Sequence, residues 1–315
     1  MNNARKCPVC GSESAKIIMS FTPASIASMN PTYTLEKFEY AVNSKEHLLN
    51  YSQCNICEMI YCETNWDNDT LKKVYTDTID HVKSKEKILL ISKRLELLRE
   101  WTGILRVLTF EGFSKLDDIK IIDYGCGWGD FLDVMGGYNI KTLGFDEDET
   151  KISFAKSRGH NIARNIDELV KFGPVDIFVM NSVLEHVLDV ESIFKLVKRV
   201  LKPGGILVFL VMDYRRGYIK KNIARLKRSL PALSKDFNPV EHVNLYSYES
   251  SMNTLEHFGF KFLTTGVSLT LTNYPFLRKS YAFLTLVNKI ESIFSKIILS
   301  RELGITVYSK KKETH

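Results

Sequence analysis

Three sets of residues in this chain have types and spacings that do chemistry. Cys7-Pro-Val-Cys10 and Cys54-Asn-Ile-Cys57 are two C-x-x-C turns. Each presents two thiolates from a tight knuckle, and together they supply the four soft ligands of a tetrahedral zinc. Unrelated buried cysteines or a single redox pair are the alternatives, and Cys62 reads as core. Four cysteines leave a metal no open position, so one structural zinc is expected and not a catalytic one. The second set is "IIDYGCGWGDFLDV", where an apolar run from Ile121 enters the alternating Gly125, Gly127 and Gly129. Asp130 stands where a dinucleotide turn wants its third glycine, and Asp123 adds a carboxylate just upstream; both disfavour a pyrophosphate. The turn suits a nucleoside that carries cations. Cys126 reads as a small space-filler within it, and Trp128 as a wedge against the turn or its ligand. The third set is Glu185-His186, residue types that move protons.

Each set needs elements to hold it. The glycine turn asks for a strand before it and a helix after it. "KTLGFDEDE" (141–149) reads as a second strand ending in Asp146, 23 residues after Asp123, where a carboxylate grips ribose hydroxyls. A third strand at 160–165 is faint. "VDIFVMNSVLEHV" (175–187) is a strand whose tip carries Asn181, Ser182, Glu185 and His186. "IFKLVKRVLKPGGILVFLV" (193–211) is an apolar-striped helix, a Pro-Gly-Gly turn and a buried strand. Residues 67–113 read as helix, with Ile88, Ile91, Leu95, Leu98 and Leu105 at three-to-four spacing. A turn and helix follow at 241–260, a strand at 261–271 and a last strand at 304–312.

From Ile121 to Val211 this order of motifs resembles the class I S-adenosylmethionine (SAM)-dependent methyltransferases. The resemblance implies an α/β, Rossmann-like seven-stranded sheet with its last strand antiparallel, and SAM against Asp123, Gly125, Cys126, Gly127, Trp128, Gly129 and Asp146. Asn181 and Ser182 stand at the same edge. Asp167 is placed to meet the adenine amino group, or else is a helix N-cap. The cysteine pairs are similar to the zinc module of bacterial sugar and polysaccharide-biosynthesis methyltransferases. In the deoxysugar members a matching Glu-His pair does acid/base work, which implies His186 as base with Glu185 orienting or charging it. A tyrosine two residues before that glutamate is Val183 here. Alternatively, Glu185 caps a helix and His186 is a feature of the fold. His242, in "EHVNLYS", lies in a segment that faces the acceptor in such enzymes, and is the competing base or an ordered loop residue.

The resemblance further implies a small-molecule or glycan acceptor that bears phosphate: a sugar hydroxyl or carbon on a nucleotide- or lipid-linked precursor. The rivals are an RNA or protein methyltransferase and a non-catalytic SAM-binding protein. A net charge of +6 in 315 residues is too small to claim a nucleic-acid partner. No uncharged run reaches the ~18–20 residues of a membrane span. The start "MNNARKCPVC" lacks an apolar signal core, so a cytoplasmic protein is expected. The expected organisation is a zinc-ribbon-like module at 1–65, a helical linker and cofactor lid at 66–115, and the methyltransferase domain at 116–315, with insertions at 214–240 and 273–302. The first insertion carries Arg215, Arg216, Lys220, Lys221, Arg225, Lys227 and Arg228 without an acid among them, a solvated face or an anion-binding one. An apolar stripe at 281–298 is expected to pack on the sheet, join a second subunit or rest on a membrane through 276–300.

Overall fold

A computed structural model describes residues 4–22, 24–26, 48–64, 66, 69, 71, 81–90, 101, 104, 113, 115–214, 238–263 and 304–311. The elements in chain order are β1 Ala15–Phe21, β2 Leu49–Cys54, β3 Ile60–Cys62, α1 His81–Leu89, β4 Lys120–Tyr124, α2 Asp130–Gly136, β5 Lys141–Phe145, α3 Glu149–Ser157 and α4 Ile166–Phe172. There follow β6 Val175–Asn181, α5 Val190–Val200, β7 Leu201–Met212, β8 Asn244–Leu245, α6 Tyr248–His257, β9 Phe260–Phe262 and β10 Gly304–Lys311. The chain divides into two compact units. One takes the described residues of Met1–His81, Ser182–Leu196 and Val211–Gly259; the other those of Val82–Asn181, Val197–Leu210 and Phe260–His315. Residues 1–65, expected to stand as a module, thus lie in a unit that also takes in two later stretches of chain.

The larger unit holds a sheet of order β5-β4-β6-β7-β10-β9. β4 pairs parallel with β5 and β6, β6 parallel with β7, and β10 antiparallel with β9. β6 is buried from Val175 to Met180, which is why Ile177–Met180 is apolar without alternation. Ile121, Leu132, Ile177, Val179, Ile206 and Val208 belong to one buried cluster. Six strands join this sheet among the described residues, not seven. The expected strand at 160–165 contributes only a bridge between Ile162 and Gly144. A Cβ on Gly144 would lie 2.8 Å from Ile162 Cδ1 and 2.9 Å from Cys126 Sγ, so the bridge depends on the missing side chain.

A second correction concerns Pro203-Gly204-Gly205. The motif does not precede the strand. It is a bulge within β7, where the partner of Val175 is Leu201 and that of Ile177 is Ile206. Gly204 turns at φ 70, which lets the strand absorb the extra residues and rejoin the ladder. Of the strand expected at 261–271 the structure describes β9, and of the helix expected at 67–113 chiefly α1. The basic run 215–228 and the stripe 281–298 lie outside the described residues.

The smaller unit is an antiparallel sheet, β1-β2-β3-β8. Phe21, Leu49, Tyr51, Ile60, Trp66 and Leu245 form its core. The cysteine knuckles sit in the turns at 7–10 and 54–57, the second joining β2 to β3. Ser247 caps α6 through a reciprocal bond pair with Ser250, which starts that helix two residues after β8.

Candidate active site

The larger unit carries the glycine turn. Gly125, Gly127 and Gly129 have φ of 80, 54 and 87, values that side chains resist. At Gly129 a Cβ would also come within 2.9 Å of His160 Cδ2. Gly125 and Cys126 both donate their N–H to the Phe145 carbonyl, at 2.7 and 2.9 Å, tying the turn to the tip of β5. Asp146 completes the tie. Its Oδ2 accepts the Gly127 N–H at 2.8 Å and its Oδ1 the Asp148 N–H at 2.9 Å. Each carboxylate oxygen has a second lone pair, so these bonds orient Asp146 and leave it able to accept from a ligand.

Asp123 is the penultimate residue of β4, just before this turn; it is buried, and its Oδ2 has no hydrogen-bond partner. Burial, then the charges of Asp146 and Asp130, push its carboxyl up to about 8. Asp123, Asp130 and Asp146 thus lie close enough at this turn to act on one another. Asp130 is less isolated than it reads in sequence. Arg158 Nη1 lies 3.7 Å from its Oδ1, and the same guanidinium pairs with Asp133. Arg158 also donates to the Trp128 carbonyl at 3.1 Å, and His160 Nε2 bonds Asp133 Oδ1 at 2.7 Å. Arg158, His160 and Asp133 bind the turn to the end of α3. Sequence inspection misses all three, since single polar residues in and just after helices are common.

Trp128 is a wedge. It is buried, stands edge-on to Phe154 at 5.4 Å and donates Nε1–H to Ser84 Oγ at 3.0 Å. Cys126 is a space-filler pressed against Gly144, and burial pushes its thiol up. Asp167 is exposed, in the first turn of α4, whose N-cap is Asn165, not Asp167. Asn181 closes β6 opposite Leu210. Ser182 follows it at φ 52, a left-handed conformation rare outside glycine and asparagine.

The smaller unit brings Glu185, His186 and His242 together, although 55 residues separate His186 from Glu241. The rings of His186 and His242 lie 4.9 Å apart at 52°. His186 Nδ1 is 2.7 Å from the backbone carbonyl oxygen of Glu241. Asn238 builds the turn that presents this carbonyl: its side chain accepts the Val240 N–H, and its carbonyl takes the His242 N–H at 2.7 Å. Glu185 corrects both sequence expectations for it. No helix starts there, because residues 182–188 form turns and α5 begins at Val190. Nor does Glu185 orient His186, a task that falls to the Glu241 carbonyl. Its Oε1 accepts the Met212 N–H at 3.0 Å, while Oε2 is buried with no hydrogen-bond partner. Burial pushes this carboxyl up from its ordinary range.

The same unit brings Cys7, Cys10, Cys54 and Cys57 together. Their sulfurs all lie within 4.8 Å of one another, with Cys7 to Cys57 at 3.5 Å and Cys10 to Cys54 at 3.6 Å. Cys62 is buried apart from them in β3.

The family model "Methyltransferase domain" matches residues 93–265, more than half of the chain. The chain belongs to this methyltransferase family. Enzyme class and cofactor follow: it is a SAM-dependent methyltransferase of the class I, Rossmann-like α/β type. It is similar to the ubiquinone biosynthesis O-methyltransferase of Thiobacillus denitrificans, 29% identical over 118 residues, which cover 35% of this chain and 51% of that one. The same enzyme of Cupriavidus pinatubonensis is 28% identical over 110 residues, 32% of this chain and 44% of that one. The chain spans about half the length of these curated relatives. Among solved structures, a SAM-dependent methyltransferase from Archaeoglobus fulgidus aligns at 20% identity with a TM-score of 0.40, covering 68% of this chain and 94% of that one. Among the described residues of this methyltransferase, no helix is long and apolar enough to cross a membrane.

Proposed function

We propose that this methyltransferase transfers the methyl group of SAM to a hydroxyl oxygen of a small molecule, with His186 taking the hydroxyl proton. One observation carries the reading: the 2.7 Å contact of His186 Nδ1 with the Glu241 carbonyl oxygen. A carbonyl only accepts, so the ring proton sits on Nδ1 and the neutral imidazole keeps its lone pair on Nε2. A hydroxyl that attacks carbon must shed its proton, and a ring held in this tautomer is the base for it. SAM, when bound, supplies an electrophilic methyl on a sulfonium. Asp123, with a buried oxygen lacking a hydrogen-bond partner, fits the cationic end of that cofactor, and Asp146 fits its ribose. Gly125, Cys126, Gly127, Trp128 and Gly129 shape the turn against it, with Asp167, Asn181 and Ser182 as further contacts. Glu185 supplies a buried carboxyl close to His242.

Cys7, Cys10, Cys54 and Cys57 hold one structural zinc in this reading. Zn–S bonds of ~2.3 Å in a tetrahedron place sulfurs about 3.8 Å apart. The observed spacings of 3.5 and 3.6 Å support that fit. Residues 1–65 then form the zinc module, 66–115 the linker and lid, and 116–315 the methyltransferase domain.

The names of the relatives support oxygen as the methylated atom. The glycan resemblance supports a sugar on a phosphate-bearing carrier. The test is a panel of hydroxylated quinols and nucleotide sugars incubated with SAM and the full chain, read by mass for one added methyl. Gain on a hydroxyl supports the proposal. Methylation confined to an amine, or to RNA or protein, overturns it.

A further inference from the structure

Arg5 lies two residues before the first cysteine, in a stretch that the sequence marks only as polar. Its backbone N–H donates to the Glu63 carbonyl at 2.8 Å, which fixes it beside the end of β3. From there its guanidinium reaches across the smaller unit. Nη2 donates to the Leu188 carbonyl at 2.6 Å and to the Val187 carbonyl at 3.3 Å. Nη1 donates to the Val243 carbonyl at 3.3 Å. These acceptors are not scattered. Val187 and Leu188 directly follow His186, and Val243 directly follows His242. One planar fork therefore bonds the two chain segments that carry the two histidines, and its rigidity sets their spacing. The face of Tyr61 lies 6.0 Å from the guanidinium carbon and limits its swing.

Other bonds from the cysteine-bearing sheet converge on the same place. Tyr51 donates its hydroxyl to the His242 carbonyl at 2.6 Å, and the Cys62 N–H donates to the Val243 carbonyl at 2.8 Å. Asn244, buried, donates its side-chain amide to the Leu184 and Val187 carbonyls at 2.7 and 2.6 Å. Of these, Arg5 alone lies in the strand of chain that leads into the Cys7 knuckle.

We infer that Arg5 is a positioning residue for methyl transfer, bracing the His186 and His242 segments so that the ring of His186 stays on the Glu241 carbonyl. The inference rests on the reading of His186 as the base. It gives the cysteine module a task beyond its own folding: it anchors the brace that aligns the proton acceptor.

The test reads the imidazole itself and needs no acceptor. In the full chain with ¹⁵N-labelled histidine, wild-type His186 should show a protonated Nδ1 and an unprotonated Nε2. Arg5→Met should average that signature toward the Nε2–H tautomer favoured in water, and Arg5→Lys should restore it in part, one point donor replacing a fork. The His160 resonances, in the other unit, and affinity for S-adenosylhomocysteine should stay within about twofold of wild type, which a general loss of folding would not allow. Should Arg5→Met fail to fold, Arg5→Lys and Tyr51→Phe give the same reading with milder changes. An unaltered His186 signature in the folded variants would overturn the inference. Turnover of His186→Ala is a separate measurement: full activity there ends the base assignment while leaving the brace, as read by the tautomer, intact.

Discussion

The glycine turn and the histidine pair both hold side chains in place, and they do it from opposite directions. At the turn, the bonds to the backbone come from a single stretch of chain. Phe145, Asp146 and Arg158 tie down residues 125–128 from within about one strand–helix unit. At the histidines the bonds come from residues 5, 51, 62 and 244, and Arg5 bonds a carbonyl 238 positions away. The chemistry differs as well. The turn gathers carboxylates around a place for a cation, while the other unit gathers four thiols and two imidazoles. A turn closed by local bonds forms once its own strand and helix form. A histidine pair braced by distant residues exists only when a whole second sheet is folded.

Removing one of the proposed zinc ligands should therefore give the largest effect and strike only one of the two. Structural zinc binding is worth ~10–16 kcal/mol in small zinc-folded peptides. Cys54→Ser should lose the metal, measured per chain by elemental analysis, and amide exchange should accelerate in β1–β3 and 238–246. SAM affinity should persist. Simultaneous loss of protection around residues 121–146 would break the contrast between a locally closed turn and a braced pair.

The proposed proton acceptor comes next. His186→Ala should lower turnover by ~10²–10⁴ with SAM affinity little changed. His242→Ala is the control, because its ring lies 4.9 Å away and competes for the role. If His242→Ala abolished turnover and His186→Ala spared it, the base would be His242.

On the other side, Asp146→Ala should weaken SAM by about 1.5–3 kcal/mol, the value of a hydrogen bond to a charged group. It also strips the Gly127 N–H of its acceptor, so the turn itself should loosen. Calorimetry should show this together with no appreciable NAD binding to the wild type. NAD binding tighter than SAM would contradict the phosphate-repelling role given to Asp130.

The smallest effect is a pH slope. Asp123 is raised from 3.8 to about 8, so the folded chain binds more protons here than the unfolded chain. Its contribution to stability is therefore full below the unfolded value and is lost as pH rises toward about 8. A cation bound beside it favours the ionised form, so binding expels a proton. SAM affinity should rise by up to about tenfold per pH unit on the acid side of neutrality. Asp123→Asn should flatten that slope. A flat wild-type profile would separate Asp123 from the cationic end of the cofactor.

Local patterns carried much of this molecule in the sequence alone. Positive φ at Gly125, Gly127 and Gly129 needs glycine, so the turn is written in residue types. Buried parallel strands need apolar stretches, so β4, β6 and most of β7 are visible as such. Two knuckles need C-x-x-C, so the four clustered cysteines are visible before any fold. Tertiary structure decided what bonds across distance. It turned Glu185 toward the Met212 N–H and gave His186 to the Glu241 carbonyl, a backbone atom that no residue pattern announces. It reduced the third strand to one bridge at Gly144 and made Pro203-Gly204-Gly205 a bulge. It also set Arg5 across two loops and Arg158 beside Asp130. The physical reason is common to all of these. Periodicity and turn chemistry depend on neighbours along the chain, whereas a hydrogen-bond partner hundreds of residues away is chosen by which surfaces pack together.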